Sequence, residues 1–360
     1  MRRLCRRALS SSAATTPGVQ ATATAAAAGN VTVAPSERPS KRITIHTLRQ
    51  LKQARTPITM LTAYDFPSAV HVDVANIDVL LVGDSVGMVE LGLDTTLPVT
   101  MDDMIHHCKA VSRGCRRPLL VGDMPFGVYE VDPRQAFASA ARILKEGGMD
   151  CVKMEGGKAR SSVIRAVVDG GVAVMGHIGL TPQAFSALGG FRAQGRTATQ
   201  ALGVLQDALA VQEAGAFALV IECVPALVAE EITRRLEIPT IGIGSGGGTD
   251  GQVLVYHDLL GMMMHPWHGQ HALKFCKQYA AVGTHINLAL AQYRDEVKSR
   301  AFPGTAFAPY VIPDDEASRF MDELAKFDAQ HTAVGAASIT TVAADHGERL
   351  YGAGASKQPR

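Results

Sequence analysis

Three acidic residues stand where three successive apolar runs of the chain end. Asp84 follows the run VLLVG, Asp123 follows LLVG, and Glu155 follows CVKM. Three carboxylates gathered at one place would repel one another unless a cation joined them, and hard divalent ions prefer oxygen ligands. The pattern therefore predicts a metal site, with Mg²⁺ favoured because it keeps open positions for substrate and water. The alternative is that each acidic residue only caps a following helix.

Lys153 adds a positive charge to this group. It lies two residues before Glu155, so on a strand the two side chains point to the same side and can reach the same site. Three carboxylates, one divalent ion and Lys153 are together close to neutral. The charges therefore allow the site to accept an anionic substrate.

Two further polar residues follow apolar runs later in the chain. Glu222 comes after ALVI, and we predict that it serves as a base, the alternatives being a helix cap or an ion pair. His177 comes after AVMG, and no second His or Cys lies at zinc spacing from it. His177 therefore suits hydrogen bonding to a substrate, although a structural histidine bonded to the backbone fits the sequence equally well.

Eight short, β-branched runs would position these residues, with helical patterns between them. Strands covered on both faces need near-continuous hydrophobicity, which these runs have, so the sheet should be parallel. Eightfold alternation of strand and helix predicts a (β/α)₈ TIM barrel, whose active site lies where the strands end. The predicted strands are Ile58–Thr62, Val79–Val82, Leu119–Val121, Cys151–Met154, Val172–Met175, Ala218–Ile221, Thr240–Ile243 and Val253–Tyr256.

The clearest helical pattern has Asp132 as its N-cap and Pro133 as its first residue, and it ends at Lys145 before two glycines. Two more helices are predicted over 201–214 and 226–236. The rival architecture is an open, doubly wound sheet. Its usual nucleotide signatures are absent, because no GxGxxG follows the first strand and the chain has no Walker lysine loop.

Composition excludes several classes of protein. The 360 residues include 35 Lys and Arg against 34 Asp and Glu, and no basic stripe interleaved with aromatic residues indicates nucleic acid binding. No apolar run approaches the roughly 20 residues that span a bilayer, so no transmembrane segment is predicted. The six cysteines form no CxxC pair, which favours thiols in a reducing compartment.

Both ends of the chain differ from its core. Four arginines and many Ser, Thr and Ala residues precede the first acidic residue, Glu37, so residues 1–41 are predicted to be a transit peptide and leader, with mitochondrial import favoured. The catalytic barrel is predicted over 42–312. A C-terminal extension, 313–360, is predicted to be largely disordered, with an acidic stretch that could be helical.

Motifs at the predicted strand ends closely resemble those of the ketopantoate hydroxymethyltransferase family. The resemblance covers roughly residues 44 to 305 and leaves out both termini. The strings that carry it occur in the family's order: TAYD from Thr62, LVGDS from Leu81, LPVT from Leu97, DMPF from Asp123, KMEGG from Lys153, GHIGLTPQ from Gly176, ECVP from Glu222 and GIG from Gly242.

The resemblance implies a TIM barrel of the phosphoenolpyruvate/pyruvate type and an activity. Such an enzyme moves a one-carbon unit from 5,10-methylenetetrahydrofolate to 3-methyl-2-oxobutanoate, giving 2-dehydropantoate on the route to pantothenate and coenzyme A. It also implies a homo-oligomer. The residues that bind the folate cosubstrate are not implied.

The resemblance assigns roles to matching residues. Asp84 and Asp123 would bind the metal, with Glu155 completing its shell directly or through water. Ser85 and Lys153 would hold the oxo acid. The proton acceptor would be Glu222.

Two other functions are compatible with the same residues. One is a Mg²⁺-dependent lyase or mutase acting on a phosphoenolpyruvate-like or isocitrate-like acid, which would not depend on folate. The other is a barrel without catalysis that serves as a scaffold. The scaffold is disfavoured because five charged residues occur together: Asp84, Asp123, Lys153, Glu155 and Glu222.

Overall fold

Eight parallel strands close into a barrel in which each strand pairs with the next and the last pairs with the first. The computed structural model describes residues 41–190, 192–263, 274–308 and 310–338. These residues divide into two compact units, the first ending at Ala281 and the second beginning at Val282. The predicted barrel is thus confirmed, and the open doubly wound sheet is excluded.

The strands alternate with helices along the first unit. The strands are β1 Ile58–Thr62, β2 Val79–Val82, β3 Leu119–Asp123, β4 Cys151–Glu155, β5 Val174–Gly179, β6 Ala218–Glu222, β7 Thr240–Ile243 and β8 Gly251–Leu254. The helices are α1 Ile45–Gln53, α2 Phe66–Val74, α3 Val86–Val89, α4 Met101–Gly114, α5 Pro133–Lys145, α6 Ser161–Asp169, α7 Phe185–Leu188, α8 Ala198–Glu213, α9 Ala226–Arg235 and α10 Tyr256–Leu260.

Five strands differ from their predicted bounds. The strands β3, β4 and β6 begin as predicted but extend one or two residues further, to Asp123, Glu155 and Glu222. The fifth was expected over Val172–Met175 but runs over Val174–Gly179, because Gly176 stands inside the strand where a Cβ would collide with Val211 of α8. The eighth was expected over Val253–Tyr256 but runs over Gly251–Leu254. Tyr256 instead begins α10, and its backbone N–H donates to Thr62 Oγ1 at 2.9 Å.

Residues at the helix N-termini determine where the predicted helices begin. Asp132 accepts a hydrogen bond from the Arg134 backbone N–H at 2.9 Å, and Pro133 starts α5 as predicted. The helix α8 begins three residues earlier than predicted, because Thr197 caps it by accepting from Gln200 N at 3.3 Å. The helix α9 lies within one residue of its predicted range.

Two apolar layers hold the barrel together. Val79 and Leu81 of β2 point into the barrel, whereas Leu80 and Val82 pack against the helices outside it. The same alternation in the other strands fills the interior and covers the outer face. Leu48 of α1 is fully buried and joins the interior layer.

The second unit contains α11 Val282–Lys298 and α12 Asp314–Ser338. The acidic stretch that could be helical begins α12, whose first turn carries Asp314, Asp315 and Glu316 next to the positive end of the helix dipole. This helix differs from the largely disordered extension expected from residue 313. Within the described ranges no helix is long and apolar enough to cross a membrane. The predicted leader, except residue 41, and residues 339–360 lie outside the described residues.

Candidate active site

A cavity of about 500 Å³ opens at the carboxyl ends of the strands. Every residue that the sequence predicted for the site lines this one cavity: Asp84, Ser85, Asp123, Lys153, Glu155, His177 and Glu222. This is the end of the barrel at which the loops after parallel strands converge.

Alternate residues of a strand point to the same side, and this places these side chains at the mouth of the barrel. In β4, Cys151 belongs to the barrel interior, so Lys153 and Glu155 point the same way two and four residues further along. The same spacing separates an interior residue from a site residue in three more strands: Val121 and Asp123, Met175 and His177, Val220 and Glu222.

Asp84 and Asp123 form a close, buried pair of carboxylates. Asp84 follows β2, and its backbone N–H donates to Asp123 Oδ2 at 3.1 Å. The two residues are 4% and 1% exposed. Burial, then Asp123, then Glu155 raise the pKa of Asp84 to about 8. Burial also raises the pKa of Asp123, which Lys153 opposes.

Lys153 stays charged at this site. Its Nζ lies 2.8 Å from Asp123 Oδ1. Burial alone would lower the pKa of Lys153, but the negative charges of Asp123, Glu155 and Asp84 outweigh burial and raise it. The site therefore keeps one ammonium group beside the carboxylate pair, as the sequence predicted.

His177 links Glu155 to Glu222. Its Nδ1 lies 3.2 Å from Glu155 Oε1, and its Nε2 lies 3.1 Å from Glu222 Oε2. Both contacts are ion pairs by distance, although Nε2 is not aligned for a hydrogen bond. Burial and Lys153 act to lower the pKa of His177, but Glu155 and Glu222 prevail and raise it to about 9. Burial opposes ionisation of Glu155, yet His177 holds the pKa of that carboxyl below its usual value.

Gln183 is a site residue that sequence reasoning missed. Its Nε2 donates to Asp84 Oδ2 at 2.8 Å, and its backbone N–H donates to Glu155 Oε2 at 3.0 Å. The hydroxyl of Tyr129 in turn donates to Gln183 Oε1 at 2.5 Å. Gln183 ends the motif GHIGLTPQ, which was the one signal that could have identified it.

Tyr64 was missed in the same way. It is fully buried, and its hydroxyl lies 2.8 Å from Ser85 Oγ. Burial raises the pKa of Tyr64, so its hydroxyl stays protonated and can orient the serine hydroxyl.

The structure offers fewer side chains as ligands for a metal ion than the sequence predicted. Among the described residues, no three His, Cys, Asp or Glu side chains are grouped so that they could hold a metal ion together. Asp123 Oδ1 and Glu155 Oε1 are buried, and within the described residues each has an ion-pair contact, with Lys153 Nζ and His177 Nδ1, but no aligned hydrogen bond. A divalent ion beside Asp84 and Asp123 would compensate their buried charge, so the residues present fit Mg²⁺.

Comparison with known proteins agrees with these features. The family model described as ketopantoate hydroxymethyltransferase matches residues 42–305. A protein of Arabidopsis thaliana named 3-methyl-2-oxobutanoate hydroxymethyltransferase 1, mitochondrial, is 55% identical over 84% of this chain and 87% of its own. A protein of Emericella nidulans named 3-methyl-2-oxobutanoate hydroxymethyltransferase is 50% identical over 79% of this chain and 82% of its own.

Among solved structures, phosphoenolpyruvate phosphomutase from Streptomyces platensis subsp. rosaceus aligns with a TM-score of 0.47 at 15% identity, over 79% of this chain and 98% of that protein. The family model alone covers most of the chain, and the two named relatives are each at least half identical to it. The chain therefore belongs to the ketopantoate hydroxymethyltransferase family.

Proposed function

We propose that this protein transfers the one-carbon unit of 5,10-methylenetetrahydrofolate to 3-methyl-2-oxobutanoate, giving 2-dehydropantoate for pantothenate synthesis. Family membership and the names of its relatives support this activity. The observation that supports this activity most directly is that a buried pair of carboxylates and a separate carboxylate line the same cavity. Asp84 follows β2 and Glu222 ends β6, which lie on opposite sides of the barrel.

Asp84 and Asp123 would hold Mg²⁺, with Glu155 completing the shell through water. Glu155 is the least direct of the three, because His177 and the Gln183 backbone already engage its two oxygens. When bound, the ion would draw electrons from the keto group of the oxo acid and make its C3 proton more acidic.

Lys153 and Ser85 would hold the anionic substrate. The ammonium group of Lys153 is fixed beside Asp123, and its charge complements a carboxylate. The Ser85 hydroxyl, oriented by Tyr64, can donate to an oxygen of the oxo acid. The burial of Lys153 excludes water and strengthens its contact with the substrate.

Glu222 would take the proton from C3. Its side chain is 16% exposed, whereas those of Asp123 and Lys153 are 2% and 5% exposed, so it is the more accessible group. His177, with a pKa raised to about 9, is positively charged at neutral pH, and its Nε2, 3.1 Å from Glu222 Oε2, would orient the side chain of Glu222. This would give His177 a positioning role as well as the substrate contact predicted from the sequence.

The reaction balances with water as third reactant. C3 loses a proton to Glu222 and gains a bond to the methylene carbon. That carbon loses its bonds to the two folate nitrogens and takes a hydroxyl group from water. The remaining hydrogen of water and the proton held by Glu222 pass to the two nitrogens, and tetrahydrofolate leaves.

The function is tested by incubating the purified protein with 3-methyl-2-oxobutanoate and methylenetetrahydrofolate, with and without Mg²⁺, and identifying the product by mass. We expect 2-dehydropantoate only when all three are present. Product formed without folate would favour the lyase or mutase function, and no product under any condition would favour the scaffold.

We further propose a mitochondrial location and a homo-oligomeric state. The location is supported by the Arg-rich, acid-poor leader and by relatives named as mitochondrial. Exposed apolar side chains at Ile286, Leu290 and Tyr293 of α11 support association between copies.

A further inference from the structure

A second polar region lies on the cavity wall, on α10 and on the segment between α3 and α4. Thr96 and His257 both line the cavity and are 3% and 7% exposed. Thr96 Oγ1 and His257 Nδ1 are buried, and neither has a hydrogen-bond partner among the residues that the structure describes. Buried polar groups are normally paired, so two unpaired atoms on one cavity wall indicate a ligand that pairs them.

The ring of His257 is held in a fixed orientation. Its Nε2 lies 3.1 Å from Glu90 Oε1, which connects α10 to the end of α3. The rings of Tyr64 and Tyr256 lie against it, with centroids at 5.6 and 5.7 Å. A ring fixed on three sides has its free nitrogen in a defined place before any ligand binds.

The partner of His257 determines what its free nitrogen can do. A carboxylate only accepts hydrogen bonds, so Glu90 favours the tautomer with hydrogen on Nε2. This leaves Nδ1 as an acceptor. The Thr96 hydroxyl can both donate and accept. Together they match a ligand edge with an N–H donor beside a carbonyl or ring-nitrogen acceptor.

The surrounding wall is apolar. Met88, Val89, Val255 and Met263 also line the cavity. Pockets with mostly apolar walls and a few fixed polar groups suit flat heterocycles, and pockets of about 300–1,000 Å³ hold drug-sized ligands. A cavity of about 500 Å³ therefore has more room than a small branched oxo acid needs.

We infer that Thr96 and His257, with His257 oriented by Glu90, bind the pterin ring of the folate cosubstrate through its amide and amino edge. This inference rests on the proposed function. It assigns the ring of the cosubstrate to α10 and the segment between α3 and α4, while Asp84, Asp123 and Lys153 serve the oxo acid.

The first test replaces Thr96 by the isosteric valine. Tetrahydrofolate binding to the full chain with Mg²⁺ is measured by calorimetry, together with the melting temperature. We expect Thr96→Val to weaken tetrahydrofolate binding about tenfold, the loss of one hydrogen bond to a ligand. Its melting temperature should stay the same or rise, because the hydroxyl is unpaired in the free protein. Thr95→Val, the same change outside the cavity lining, is the matched control.

The second test separates the two nitrogens of His257. Asn can place a polar atom near the position of Nδ1, and Gln can place one near that of Nε2. We expect His257→Asn to keep more tetrahydrofolate affinity than His257→Gln. We also expect the KM for methylenetetrahydrofolate to rise about tenfold in His257→Gln, with a much smaller change in the KM for the oxo acid.

Unchanged tetrahydrofolate affinity in Thr96→Val and His257→Gln would overturn the inference, as would equal increases in both KM values. A lower melting temperature with unchanged affinity in Thr96→Val would show a structural role and would also overturn it. If the wild-type protein forms product while the variants give these results, the proposed function stands and only the pterin site is wrong. Wild-type protein that neither binds tetrahydrofolate nor forms product contradicts both.

Discussion

At the residue scale, burial and neighbouring negative charges both raise the pKa of Asp84. The carboxyl group is buried away from water, which disfavours its charged form. The carboxylates of Asp123 and Glu155 make a further negative charge unfavourable as well. Lys153 and Gln183 offset this only in part. Without a cation, the free protein therefore holds a proton at Asp84 over much of the pH range in which an ordinary aspartate is ionised.

This gives a pH-dependent effect of Mg²⁺. A pKa of about 8 in the folded protein, above the ordinary 3.8, contributes stability that is present below 3.8 and lost as pH rises through about 8. Mg²⁺ binds the ionised form, so we expect it to raise the melting temperature little at about pH 6 and by several degrees at about pH 8.5. Thermal unfolding with Mg²⁺ and with EDTA measures the difference.

Asp84→Asn is the matched control, because it keeps the size of the side chain but cannot be ionised. We expect this variant to lose the pH dependence of the Mg²⁺ effect. A Mg²⁺ effect of the same size at both pH values in the wild type would contradict a metal site at Asp84.

The identities of the charged site residues could be predicted from the sequence, but their hydrogen-bond partners could not. Asp84 follows β2, Asp123 ends β3 and Lys153 lies two residues before the end of β4, and the barrel brings the carboxyl ends of its strands together whatever the loops do. Gln183 reaches Asp84 only because the loop after β5 folds back over the mouth, and no local pattern specifies that path.

At the element scale, glycines let the strands and helices approach closely. A Cβ at Gly176 in β5 would collide with Val211 of α8 and would come within 3.1 Å of Leu219 Cδ1. The sequence prediction ended the strand before this glycine, because a glycine usually interrupts a strand. In the folded barrel this glycine packs against α8, and β5 continues through it to the site residue His177.

Gly176→Ala is expected to destabilise the protein by about 1–3 kcal/mol, since the added methyl group overpacks the contact between β5 and α8. Gly203→Ala in α8 is the matched control. A Cβ at Gly203 meets nothing within 4 Å, and replacing a glycine inside a helix should stabilise by about 0.5–1 kcal/mol. Urea unfolding of both variants measures these free energies. A neutral Gly176→Ala would contradict the close packing.

At the scale of the whole molecule, the strand pattern predicted the barrel, and composition predicted that both termini differ from it. The boundary at Ala281 was not predicted, because it depends on contacts between elements and not on local composition. The family match extends to residue 305, beyond that boundary, so part of the second unit belongs to the family's common sequence.

The leader predicts processing on import. Its arginines and lack of acidic residues before Glu37 are typical of a mitochondrial presequence, so the mature protein should begin near or before residue 41. N-terminal sequencing of the protein purified from mitochondria measures this. A mature chain that begins at residue 1 would contradict import through a cleaved leader.

We propose above all that Glu222 is the base that removes the C3 proton of the 2-oxo acid in this cavity. The most direct measurement is exchange of the C3 proton of 3-methyl-2-oxobutanoate in deuterated water with Mg²⁺, followed by NMR for the wild type and Glu222→Gln. We predict exchange in the wild type and a loss of at least about 100-fold in the variant, the usual contribution of a general base, with oxo acid binding retained. Undiminished exchange in Glu222→Gln would contradict the account.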